Sequence, residues 1–129
     1  MNTKPVSSLP DLVQSQFPTL PELPVDAALL IPFGSKFGNY EKEVVLGVVA
    51  TVAAHNKSWK PVAAREFLAV AEKGVPPMLF QGVINAIWQL AEEGYIEMVR
   101  CDEVDHIVPT PDFAAVLGKC NLRYLPAAP

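Results

Sequence analysis

The sequence predicts an α+β fold, mostly α, on three observations. First, Pro77–Glu93 (PMLFQGVINAIWQLAEE) places Leu79, Val83, Ile84, Ile87, Leu90 and Ala91 at three- and four-residue steps, the spacing of one helix face. Second, Gly94 follows, a residue that takes the left-handed conformation at a helix end at least cost. Tyr95, Ile96, Met98 and Val99 then have the aromatic and branched content of a strand. Third, residues 39–55 (NYEKEVVLGVVATVAAH) form a long apolar run with helix signals at both ends.

Composition bounds the class. A chain of 129 residues, half of them hydrophobic, is long enough for one domain with a real core. The net charge of −4 and pI near 5.1 argue against a generic nucleic-acid coat, although a local basic face is compatible with them. Cys101 and Cys120 lack a tight pairing motif and fit free thiols in a reducing compartment. No signal peptide and no membrane-spanning apolar run is read, so the expectation is a soluble cytoplasmic protein.

Residues 1–38 read as a proline-rich N-terminal arm, broken by Pro5, Pro10, Pro18, Pro21, Pro24 and Pro32. Leu12, Phe17, Leu20, Leu23, Val25, Leu29, Leu30 and Ile31 give it more apolar content than a flexible linker has. Such an arm lies on its own domain or on a partner, and a short helical turn is expected at Val25–Leu30. Gly34–Gly38 reads as a loop into the domain.

The first helix, 39–55, has Asn39 as N-cap and Glu41 and Glu43 where negative charge suits the helix dipole. It is apolar almost all round, so it must be covered on several sides. Val44, Val45, Val48 and Val52 are therefore the expected surface for arm packing or for a homodimer. Ser58-Trp59-Lys60 reads as a short strand, and Pro61 opens a second helix, Val62–Lys73, with Phe67, Leu68, Val70 and Ala71 inward. Gly74-Val75-Pro76-Pro77 turns the chain into the third helix, giving two helices joined by a short glycine-containing turn. Tyr95–Arg100 and His106–Thr110 read as antiparallel strands joined by Cys101–Asp105. Thr110-Pro111-Asp112 then caps a short helix, Phe113–Gly118, that packs back through Phe113, Val116 and Leu117. Residues 119–129 read as a C-terminal tail, docked in part through Leu122, Tyr124 and Leu125.

In element order, and in the phrases VAAREFLAVAEKG, VINAIWQLAEEGYIEMV and HIVPTPDFAAVL, residues 39–118 resemble the winged helix-turn-helix superfamily. The resemblance implies a third helix lying in a DNA major groove and a hairpin, the wing, near the backbone or minor groove. It equally covers domains that bind proteins, so the residues must decide.

For DNA, Gln81, Asn85 and Gln89 share a helix face and can read an adenine edge, and Gly82 would permit close approach. Lys57, Lys60, Arg65 and Lys73, against Glu66 and Glu72, would hold phosphates, with Lys36 able to join them. The third helix itself carries no cation, and the wing tip presents Asp102, Glu103 and Asp105, with only Arg100 and His106 to offset them. A DNA-inserting wing usually presents Arg or Lys. The leading expectation is thus a dimeric DNA-binding transcriptional regulator, and the alternative is a protein-interaction module using the neutral third helix, the acidic wing and the arm. A metal-responsive wing built on Cys101, Asp102, Asp105 and His106 is a weaker third option, because zinc sites draw on separated ligand pairs. No cofactor or metal is expected. Neither His55 nor His106 has a nucleophile paired to it by motif, and no enzyme activity is expected.

Overall fold

The computed structural model describes residues 3–23 and 27–126; the side chains of 27–28, 33 and 124–126 are outside that description. Val25, and the side chains of Tyr124 and Leu125, therefore lie outside the described residues. The strands are β1 (Lys4–Pro5), β2 (Ala27–Phe33), β3 (Val62–Ala63), β4 (Ile96–Cys101), β5 (Val104–Pro109) and β6 (Asn121–Pro126). The helices are α1 (Tyr40–Asn56), α2 (Ala64–Gly74), α3 (Phe80–Glu92) and α4 (Pro111–Gly118), making the fold α+β. One sheet has the order β1-β4-β5-β3, and β2 pairs with β6 in a second.

Helix α1 forms where its ends predict. Asn39 Oδ1 accepts from the Lys42 N–H at 3.0 Å, and Lys57 closes the helix in the left-handed region at φ 59°. Val44, Val45 and Val48 are fully buried and Val52 nearly so, all within the single chain. Strand β2 and helices α2 and α3 pack on α1. The covering of this all-round apolar helix is thus supplied by one chain, and these valines present no exposed face to a second copy.

The sequence reading needs several corrections here. The expected turn at Val25–Leu30 is, from Ala27 onward, strand. It pairs antiparallel with β6, which forms from residues expected to be a tail, and Leu30 lies opposite Tyr124. The two strands lie far apart in sequence. The short strand falls at Val62–Ala63, not at Ser58-Trp59-Lys60, and pairs with β5. Trp59 is instead buried, because its indole is used to anchor the arm. The second helix accordingly starts at Ala64, where the Glu66 carboxylate accepts from the Ala63 N–H at 3.1 Å. Pro77–Leu79 is a 3₁₀ turn, so α3 proper begins at Phe80. Strands β4 and β5 run closer to their shared tip than expected, leaving Asp102 and Glu103 as a two-residue turn at φ 51° and 63°. Positive φ at both central residues is the geometry that matches strand twist in a tight hairpin. Thr110 caps α4 as expected, accepting from the Phe113 N–H at 3.4 Å, and Phe113, Val116 and Leu117 are buried.

The arm lies on its own domain. Phe17 stacks on Trp59 with ring centroids 5.0 Å apart, and Trp59 Nε1 donates to the Pro18 carbonyl at 3.0 Å. The Gln14 amide accepts from the Trp59 N–H at 2.9 Å and donates to the Trp59 carbonyl at 2.6 Å. Leu12, Leu20 and Leu23 pack partly buried against the core.

Candidate interaction surface

Helix α3 shows how its faces divide. Val83, Ala86, Ile87 and Leu90 are buried. Gln81, Asn85 and Gln89 are exposed, and Gln81 Nε2 donates to Asn85 Oδ1 at 3.1 Å. The expectation that Ile84 faces inward is incorrect: it lies about 100° round the helix from Val83 and is 39% exposed. Leu68, also expected inward on α2, is 43% exposed. Met78, in the turn before α3, is 88% exposed. The outer face of α3 is therefore amide and aliphatic, and uncharged until Glu92.

Gly82 does permit a close approach, but an internal one. A Cβ there would sit 3.1 Å from Glu41 Cγ, so the first turn of α1 abuts α3 at this point. A cleft of about 220 Å³ is lined by Asn39, Glu41, Gly82, Asn85, Ala86 and Gln89. Two of the three amides thus share a concavity with a carboxylate. The sequence offered no signal for this, since Glu41 reads there only as a first-turn acid.

The cations are placed elsewhere. Lys57 and Lys60 flank Trp59 in the link after α1, and Arg65 and Lys73 stand at opposite ends of α2. All four are exposed, and among the described residues none forms an ion pair. Lys57 borders the arm at Leu20–Leu23. Lys42, by contrast, is engaged by Glu93 at 2.6 Å. Lys36 sits over the Tyr95 ring, 4.9 Å from its centroid, and hydrogen bonding to Tyr95 holds its ammonium above its ordinary pKa.

At the β4–β5 hairpin, the two groups that could offset its acids are turned onto the hairpin itself. Arg100 Nη1 lies 3.7 Å from Asp105 Oδ1, and Nη2 donates to the Glu103 carbonyl at 3.4 Å. His106 Nδ1 donates to the Val104 carbonyl at 2.9 Å. Asp102 and Glu103 remain exposed at the tip. Cys101 is buried, and no group of three or more His, Cys, Asp or Glu side chains among the described residues is placed to hold a metal ion. Burial raises the Cys120 thiol pKa, helped by Glu43, so it is protonated at neutral pH.

A second concavity, of about 400 Å³, runs between α3 and the outer edge of β4, lined by Lys4, Trp88, Ala91, Glu92, Ile96, Glu97 and Met98. Trp88 is half-buried there. Nothing in the sequence linked Lys4 to this place, because β1 joins β4 across most of the chain. Among the described residues, no helix is long and apolar enough to cross a membrane. Comparison with family models, with curated proteins and with solved structures finds no match.

Proposed function

We propose that this chain is a winged-helix protein-interaction module. The element order α1-β3-α2-α3-β4-β5, with β3 paired to β5, supports the winged-helix part of the reading. One observation carries the choice of partner: the exposed face of α3 is uncharged, with Ile84 and, in the preceding turn, Met78 exposed along with the amides, and Glu41 in the adjoining cleft. Exposed apolar side chains beside uncharged amides suit a protein partner, and phosphates would find no cation on that helix. A photo-crosslinking residue at position 84 should give one discrete protein adduct in an extract of the native host. Met78→Glu should abolish the adduct. Equal labelling at positions 84 and 57, or none at 84, would overturn the proposal.

A second reading is favoured by the four exposed, unpaired cations Lys57, Lys60, Arg65 and Lys73. In it the chain is a cytoplasmic DNA-binding regulator, with those groups on phosphates and Gln81, Asn85 and Gln89 reading bases. A homodimer in this reading needs a surface other than the buried valines of α1. Salt-sensitive binding to duplex DNA is its test, and the expected magnitudes follow from the number of cations.

A further inference from the structure

Among the described residues, the outer edge of β4 is paired over two positions. Strand β1 pairs with it in parallel for two residues, Lys4 opposite Val99 and Pro5 opposite Arg100, and the Val6 N–H donates to the Arg100 carbonyl at 2.9 Å. Pro5 has no N–H to add to the ladder. Among the described residues, nothing pairs with the same edge along Ile96–Met98. An unpaired strand edge is a template for another extended segment.

Beside that open edge lies the α3–β4 groove. Its floor is apolar, from Trp88, Ala91, Ile96 and Met98, and its rim is acidic, from Glu92 and Glu97. The cation in it comes from β1: Lys4 Nζ lies 3.8 Å from Glu97 Oε1, with both side chains more than half exposed. Exposed pairs of this kind hold weakly. Strand β1 is thus short, contains a proline, and adds only one exposed ion pair to its main-chain hydrogen bonds.

We propose that the β4 edge and the α3–β4 groove form a docking site for an extended, lysine- or arginine-bearing peptide segment of a partner protein, which β1 occupies in cis. Binding is by strand addition: main-chain hydrogen bonds to Ile96–Val99 supply affinity, and the acidic rim selects a basic side chain. The charge complementarity is displayed by Lys4 itself. The inference rests on the protein-binding reading for the nature of the partner, but it uses neither Met78 nor Ile84.

The probe is a fluorescein-labelled peptide of residues 2–9 of this chain, titrated in trans into the full chain by anisotropy. The Lys4→Glu chain should bind it roughly two- to five-fold more tightly than the unaltered chain, the worth of one exposed ion pair. Glu97→Lys should weaken binding, and a peptide with Glu in place of its lysine should recover it on that variant. Glu97→Gln serves if the reversal perturbs folding, and should weaken binding without recovery. Retained binding in a Met78→Glu/Ile84→Glu chain separates this groove from the α3 face, so either can fail alone. No binding to any variant, or equal affinity across the charge variants, overturns the proposal.

Discussion

Gly47 is the residue on which the second sheet depends. A Cβ at this position would overlap the Leu30 carbonyl oxygen, so β2 crosses α1 where the helix has no side chain. One turn on, Thr51 Oγ1 accepts from the Leu30 N–H at 2.8 Å and donates to the Gly47 carbonyl at 2.7 Å. That hydroxyl satisfies a backbone group which would otherwise be buried without a partner. In an ordinary helix interior, Gly→Ala stabilises by about 1 kcal/mol. Here the added methyl meets backbone, which cannot rotate away. Overpacking of this kind costs about 1–3 kcal/mol, and the strand must also shift off its hydrogen bond to Thr51. Gly47→Ala should therefore lower stability in urea unfolding. Unchanged or greater stability would mean that β2 does not cross at this contact. The glycine was visible in the sequence, inside VVLGVVA, where its cost should have suggested a backbone crossing.

At the scale of elements, Trp59 anchors the stretch of the arm between β1 and β2. Gln14 grips both backbone groups of Trp59, Phe17 covers its ring and Pro18 takes its indole hydrogen. Gln14→Ala removes both amide contacts while leaving the stacking. Amide hydrogen exchange should then rise across the arm around residues 12–20 and at Trp59, while α1 and α3 keep their protection. Unchanged exchange in the arm would show that the remaining contacts hold it without the Gln14 amide. This anchoring also explains what could be read ahead. Helices α1, α3 and α4 and the β4–β5 hairpin were legible because caps, glycine stops and local periodicity define them within one stretch. Asn39, Gly94 and Thr110 each mark a boundary that the structure keeps. Strands β1, β2 and β6 were not legible, since each exists only through a partner remote in sequence. Pro32 and Pro126 also disguise β2 and β6. Of the candidate site, the amide stripe was legible from its four-residue spacing. The exposure of Ile84, the carboxylate of Glu41 beside Gly82 and the Lys4 groove depend on neighbouring elements and had no local signal.

For the whole molecule, the distribution of charge separates the two partner classes. The chain has 14 acidic against 10 basic side chains, and some of the acids lie where a winged helix would meet a duplex: Glu41 beside α3, Glu92 and Glu93 at its end, and Asp102 and Glu103 at the hairpin tip. The cations Lys57, Lys60, Arg65 and Lys73 lie on the α1–α2 link and on α2. Each phosphate contact contributes a slope of about −0.9 to log K against log salt, so four contacts give about −3.6 in total. A random-sequence duplex titrated at ~50 mM and ~200 mM salt reads this slope directly. The neutral α3 face leads us to expect no saturable binding at the lower salt. Binding that weakens with a slope near −3.6 would instead favour the DNA-binding regulator. In that case Lys60→Ala/Arg65→Ala should make the slope shallower by about 1.8, two contacts' worth, for every sequence tested. Asn85→Ala should leave the slope unchanged and relax preference at one base position, since an amide reading a base edge displaces no counterion. Binding insensitive to both substitutions would place any nucleic-acid contact away from α2 and α3 altogether.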